Sequence, residues 1–150
     1  KYRSTVETVA AIAYRGRDHT SLREMVRRTV FNLFVGNGDA HLKNWSLIYP
    51  DRKIARLSPA YDLVCTAVYP HQADLGLPFF GTARLSEISR DHFARLQAAL
   101  NVDDVLDVVD EMIERFCQAW AVGAAEGLPA PVATWIEEHL ERTCQQLTQA

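Results

Sequence analysis

The chain has 150 residues, 48% of them hydrophobic and 23% charged, with a net charge of −3, a balance that excludes disordered, fibrous and collagen-like classes. A chain of this length can bury about 68–70% of its unfolded surface, enough for one sizeable core. No apolar run approaches the roughly 20 residues that span a bilayer and no signal-peptide pattern opens the chain, so no membrane partner is expected and the cytoplasm is the expected compartment.

The charge is unevenly spread. Residues 1–45 hold eight Lys/Arg against four Asp/Glu, and residues 46–150 hold eight against fifteen. Such polarity favours an anionic nucleotide or an acidic partner surface, although Arg15, Arg17, Arg23, Arg27 and Arg28 read more simply as solvated helix faces. The clustered basic footprint of a DNA-binding domain is missing. Cys65, Cys117 and Cys144 are odd in number and lack CxxC spacing, so reduced, inert packing thiols are expected rather than a disulfide framework. His19, His71, His92 and His139 form no HxxxH or close pair, so a zinc site is not expected.

In chain order, Ser4 with Glu7 and Ser21 with Glu24 match the capping box that satisfies free N–H groups at a helix start. Behind Ser21, the residues Leu22, Val26, Val30, Leu33 and Phe34 recur at helical spacing, which predicts a helix driven into the core. Its end delivers Gly36 to Asn44, where Gly36 and Gly38 permit the backbone angles of a sharp loop. Trp45 to Tyr49 and Ile54 to Leu57, separated by Pro50-Asp51-Arg52-Lys53, predict a short hairpin that returns Asp62 to the side of Asn44. Residues 63–85, with Pro70, Gly76, Pro78 and Gly81, read as mostly loop with an extended piece near Leu75 to Phe79. Three helices follow, at Ser89 to Leu100, Asp103 to about Glu126, and Pro131 to about Leu147. Val105, Val109, Met112, Phe116 and Trp120 form one apolar stripe and Val132, Ile136, Leu140 and Leu147 another. The acids Asp103, Asp104, Asp107, Asp110, Glu111 and Glu114 fall largely off the first stripe, partly favouring the helix start through its dipole. With no repeat, linker or low-complexity tract, a single mainly α domain over residues 1–150 is expected.

The segment Gly36-Asn37-Gly38-Asp39-Ala40-His41-Leu42-Lys43-Asn44 carries the chemistry. An Asp five residues before an Asn, with a further Asp after a short hairpin, is the layout of a phosphotransferase catalytic loop. Asp39 then takes the substrate hydroxyl proton, and Asn44 and Asp62 offer a divalent cation the hard oxygen ligands it prefers. Lys43 is placed to neutralise charge on a transferring phosphoryl group, or is an exposed loop lysine. His41 contacts phosphate or, the reading preferred here, braces the loop through a backbone carbonyl. An Asp after Asn-Gly also suits a simple turn. A metal hydrolase built on Asp39, His41 and Asp62 is a further reading.

FNLFVGNGDAHLKNWSL followed by LSPAYDLVCT resembles the HipA family of bacterial serine/threonine kinases, the toxin halves of toxin–antitoxin pairs. Asn32 and Gly36-Asn37 resemble that family's approach to its catalytic Asp; Asp39, His41, Lys43 and Asn44 fall on its loop motif; and Asp62 within Pro59-Ala60-Tyr61-Asp62 resembles its metal aspartate. Leu75-Gly76-Leu77 through Gly81, and Arg84-Leu85-Ser86-Glu87-Ile88, are similar to its segment after the active site. The resemblance implies a kinase-like C-terminal lobe, helical with a small β-hairpin around the catalytic loop, acting with ATP and Mg²⁺ on a protein hydroxyl. It also implies a small DNA-binding antitoxin as partner, with DNA reached mainly through that partner. The seven glycines form neither GxGxxG nor GxxxxGK[ST], so nothing here resembles the glycine-rich cover or phosphate lysine of an amino-terminal lobe. A start at Lys1 without Met fits a processed product or a domain cut from a longer protein. Alternatives are a small-molecule kinase of the aminoglycoside or choline type, which also carries Asp, His and Asn at these offsets, and a non-catalytic antitoxin-binding module. The stretch Leu57 to Leu63 favours the HipA resemblance over the former.

Overall fold

The computed structural model describes residues 3–69 and 74–149; Pro70 and His71 of the irregular stretch lie outside the described residues. The protein is mainly helical, with two small antiparallel hairpins. Helix α1 spans Val6–Ala13 and α2 spans His19–Val35. Both helices begin on residues other than those the capping pattern predicts. Thr5, not Ser4, caps α1 by accepting the Thr8 amide, and Asp18 caps α2 by accepting the Ser21 amide at 3.0 Å. Gly16 and Arg17, both left-handed at φ 72° and 61°, break the chain just before Asp18, so α2 starts two residues upstream of Ser21. Burial opposes ionisation of Asp18, but hydrogen bonds from the Ser21 hydroxyl and amide outweigh it and hold the carboxyl below its usual range. Ser21, buried inside the first turn, also accepts the Leu57 amide at 3.0 Å.

That last bond ties α2 to the first hairpin, β1 (Leu47–Ile48) paired with β2 (Arg56–Leu57). Its turn is closed by Asp51, whose carboxylate accepts the amides of Lys53 and Ile54. The second hairpin joins β3 (Asp74–Phe79) to β4 (Thr82–Arg84). The sequence indicated only its first strand, because the turn at Phe80-Gly81 places a bulky residue at φ 45° where turn chemistry favours Asn or Gly. Tertiary contacts hold that turn: Glu7 accepts the Phe80 amide at 3.2 Å, and the Arg95 guanidinium lies 4.3 Å from the centroid of the Phe80 ring.

Three helices complete the fold: α3 (Arg90–Leu100), α4 (Val105–Ala121) and α5 (Ala130–Thr148). Helix α4 stops five residues short of Glu126 because the chain turns left-handed at Gly123, φ 101°. Helix α2 is the centre of the core. Leu22, Met25, Val26, Val30 and Phe34 are buried along it, each contributing roughly 1.5–3 kcal/mol of burial for the larger side chains. Phe34 stacks on Phe116 of α4 at 4.3 Å. Arg23 and Arg27 are not solvated faces. Arg23 bonds Asp104 at 3.2 Å and Arg27 bonds Glu111 at 3.3 Å, so the acids lying off the apolar stripe of α4 meet the bases of α2 in half-exposed pairs worth about 0–1 kcal/mol each. No helix among the described residues is long and apolar enough to cross a membrane.

The cysteines are all free thiols, yet Cys117 on α4 and Cys144 on α5 approach to 3.5 Å. Burial, reinforced by the neighbouring Cys117 sulfur, pushes the Cys144 thiol up to about 12. Because only the thiolate reacts, a thiol near 12 holds about a thousandfold less nucleophile at pH 8 than one near 9. Iodoacetamide at pH 8, followed by peptide mapping of the native protein, should therefore modify Cys144 on the order of 10²–10³ times more slowly than a small-molecule thiol. A comparable rate would mean that the α4–α5 contact is open.

Candidate functional site

The site is built where α2 ends. Gly36 stops the helix at φ 64°, and only glycine fits there. A Cβ would lie 2.5 Å from the Trp135 ring of α5 and 2.7 Å from Ala67. The Gly36 carbonyl accepts the amides of Thr66 and Ala67 at 3.2 and 3.0 Å, while the Gly38 amide donates to the Thr66 hydroxyl at 2.7 Å. The loop after α2 is thereby laced to the segment that follows Asp62. Asn37, with 1% exposure, tightens the same seam. Its amide nitrogen donates to Asn32 Oδ1 at 3.0 Å and to the Asp62 carbonyl at 3.3 Å, and its Oδ1 accepts the Asp39 amide at 3.2 Å.

Residues Leu42–Asn44 form one 3₁₀ turn. This turn folds Asn44 back so that its Oδ1 accepts the His41 amide at 3.0 Å. With Oδ1 fixed by that donor, the other end of the side-chain amide faces outward, and Nδ2 donates to Asp62 Oδ2 at 2.5 Å. Asp62 itself is exposed and sits at φ 58°, an angle uncommon for a residue with a Cβ. Tyr61 secures it from the other side, donating to the Lys43 carbonyl at 2.7 Å and meeting the Ser46 hydroxyl at 2.5 Å.

The residues singled out by the sequence thus come together in part. Asn44 and Asp62 are in direct contact. The Asp39 side chain, 46% exposed, faces His41 Nε2 at 3.8 Å, and the His41 side chain is 10% exposed. Lys43 is exposed at the rim of the turn. Among the described residues no group of three or more His, Cys, Asp or Glu could hold a metal, so Asp39, His41 and Asp62 do not form the three-ligand set a metal hydrolase requires. Mg²⁺ is a different case, because it keeps several waters and takes one or two carboxylates plus phosphate oxygens. The Asp62 carboxylate is a donor of that kind, whereas Asn44 turns its Nδ2 toward Asp62 and keeps Oδ1 on the His41 amide, so Asn44 would have to rotate its side-chain amide to offer an oxygen.

Several contributors were not legible in the pattern. Strand β3 carries Leu75, Leu77 and Phe79 on its core face, while Gly76 on the opposite face meets the loop backbone. A Cβ on Gly76 would lie 2.7 Å from the Ala40 carbonyl carbon and 2.7 Å from the His41 nitrogen. Arg28, read from the sequence as solvated, is 5% exposed and bonds the Ser58 carbonyl at 2.5 Å. A signal was present: Glu24, Arg28 and Asn32 fall at i, i+4 spacing, a polar row on a helix that is otherwise apolar on its flanks.

A family model described as HipA-like C-terminal domain matches residues 1–120. The Sinorhizobium fredii protein named "Putative kinase Y4dM" is 44% identical over 121 residues, covering 77% of this chain and 29% of that protein. A Haemophilus influenzae protein named "Putative kinase" is 44% identical over 48 residues, 32% of this chain and 14% of its own length. Among solved structures, a chain from the Shewanella oneidensis toxin–antitoxin complex of HipA, HipB and its operator DNA shares the fold. Its TM-score is 0.75 at 21% identity, covering 95% of this chain and 35% of that one. The chain therefore spans about a third or less of the proteins it matches.

The close approach at Gly76 gives a sharp test of how the loop is supported. Gly76→Ala forces the backbone at 40–41 to move, and overpacking of this kind costs about 1–3 kcal/mol. Chemical unfolding should show that loss. A variant as stable as the wild type would mean that β3 does not bear on the loop.

Proposed function

As the chain belongs to the HipA-like C-terminal domain family, we propose that within a longer kinase it supplies the catalytic loop for transferring the γ-phosphate of ATP to a protein hydroxyl. The observation that carries this reading is the contact between Asn44 and Asp62, 2.5 Å apart, with Asp39 presented five residues earlier on the same laced loop. That spacing supports a proton acceptor at Asp39 and a cation ligand at Asp62, the two functions phosphoryl transfer needs from this lobe. The relatives named as kinases support the general activity. Protein as the substrate class rests on the family.

In this reading Asp39 orients the substrate hydroxyl and accepts its proton, its half-exposed carboxylate open to an incoming chain. Asp62 would hold Mg²⁺, joined by Asn44 once its Oδ1 leaves the His41 amide, and the cation would neutralise charge on the nucleotide phosphates. Lys43, exposed at the rim, reaches toward the transferred group. His41, buried below Asp39, braces the loop. The residues that cover the nucleotide belong to an amino-terminal lobe, and 1–150 forms the C-terminal lobe alone. A small DNA-binding antitoxin is the proposed partner, with DNA contacted through it; the HipB and operator DNA in the neighbouring solved complex support that kind of assembly.

Asp39→Asn in the full-length protein should lower phosphotransfer by about 10²–10⁴-fold, the usual loss on removing a general base, while Mg–ATP binding and the melting temperature stay near wild type. Radiolabelled ATP with the protein substrate reads this directly. Turnover at the wild-type rate would remove Asp39 from the mechanism.

Asp62→Ala should behave differently. Loss of a metal carboxylate weakens Mg–ATP binding as well as turnover, and raised Mg²⁺ should restore part of both. Calorimetric titration separates the cases: an unchanged nucleotide affinity would leave Asp62 with a structural role only.

A further inference from the structure

Arg28 occupies the middle of α2 with 5% exposure, a position where leucine or methionine would pack without desolvating a charge. Its guanidinium is engaged in two directions. Nε donates to Glu24 Oε1, one turn earlier, at 2.7 Å, and Nη2 donates to the Ser58 carbonyl at 2.5 Å. The third nitrogen, Nη1, is buried without a protein acceptor and belongs to a side chain lining the same small recess as Asn44 and Asp62. Burying an ionised group with one donor unsatisfied is unfavourable. What Arg28 holds must account for its presence.

Ser58 begins the segment that ends at Asp62. Pro59, Ala60, Tyr61 and Asp62 are all exposed, so no apolar burial fixes their path. The segment is held by hydrogen bonds: at its far end by Asn37, Asn44 and the Tyr61 hydroxyl, and at its start by Arg28 and by the Ser58 amide, which donates to the Ser46 carbonyl at 2.9 Å. The bond from Arg28 links that start directly to the core helix. We propose that Arg28 is the positioning residue for Asp62, acting through the Ser58 carbonyl; this rests on the reading of Asp62 as a cation ligand. The fork matters. A guanidinium pairs with Glu24 from Nε and reaches Ser58 from Nη2, whereas a lysine ammonium donates from one nitrogen and would have to lie within bonding distance of both acceptors at once.

The test compares Arg28→Lys, Arg28→Met and Asp62→Asn in the full-length protein, with Mn²⁺ alone as the probe followed by electron paramagnetic resonance. Amide hydrogen exchange is measured on the same samples at α2, α4 and the amides of Ser58, Thr66 and Ala67, which bracket the segment and donate to the Ser46 and Gly36 carbonyls. Arg28→Lys should bind Mn²⁺ on the order of tenfold more weakly, the lower end of what loss of an outer-shell partner produces. Exchange at these bracketing amides should quicken while the cores of α2 and α4 keep their protection. Unchanged Mn²⁺ affinity with unchanged exchange at the bracketing amides would overturn the inference, and so would a uniform rise in exchange across both helices, the mark of a residue that only stabilises the fold. If Mn²⁺ binding in the wild type is insensitive to Asp62→Asn, the cation-ligand reading fails instead, and exchange at the bracketing amides alone then decides whether Arg28 positions the segment. Should both Arg28 variants fail to fold, Glu24→Gln is read by the same two measurements, with a smaller weakening expected and wild-type values overturning the proposal.

Discussion

Two asparagine side chains carry the connection on which the site depends. Asn37 joins Asn32 in α2 to the Asp62 carbonyl, and Asn44 joins the His41 amide to the Asp62 carboxylate. An amide suits this task because it donates and accepts at once and brings no charge that burial must desolvate. Asp62 adopts φ 58°, and a strained angle of this kind, about 1–3 kcal/mol, persists only where the surroundings over-determine it. Bonds to both its carbonyl and its carboxylate provide that determination. The Asp62 carboxylate, the proposed cation ligand, is thereby held in a fixed direction.

Hydrogen bonds between two loops hold their geometry only if the loops themselves are anchored. Helix α2 provides the anchor three times: through Gly36 at its end, through Asn32 one turn before that end, and through Arg28 one turn earlier again. The core packing that buries Leu22, Met25 and Val30 therefore also fixes the site. From below, β3 presses Gly76 against the backbone at 40–41. From the side, Trp135 of α5 closes on Gly36, although α5 lies beyond residues 1–120 matched by the family. Rigidity of this sort suits the proposed phosphoryl transfer, a reaction in which positioning and electrostatic stabilisation do most of the catalytic work.

The helices were legible from apolar spacing because burial on one face is a local property of each helix. Leu22, Val26, Val30, Val105 and Val109 all lie in the core, as their spacing required. The caps were less legible, since Ser4, Thr5, Asp18 and Ser21 are equivalent as side-chain acceptors and the choice depends on where Gly16 and Arg17 turn the chain. The same limit hid β4, whose turn at Phe80 is held by Glu7 and Arg95 from distant parts of the sequence. Arg23, Arg27 and Arg28 read as solvent-facing because their partners Asp104, Glu111 and Ser58 are 30 or more residues away.

By itself the sequence determined which groups are available: an Asp, His, Lys and Asn at fixed spacing in a loop allowed by glycine, and a later Asp after a short hairpin. It determined the helical class as well, through periodicity that any folding must satisfy. Only the tertiary structure decided through which atoms Asn44 and Asp62, expected side by side, are joined, that Gly76 packs against the loop backbone, that Cys117 and Cys144 are neighbours, and that one arginine among five is buried. The physical reason is the same in each case. Spacing encodes what neighbouring residues do to one another along a helix or turn, whereas contacts across 18 to 36 positions, such as Asn44 with Asp62 or Ser21 with Leu57, exist only once the core has set the distance between the elements that carry them.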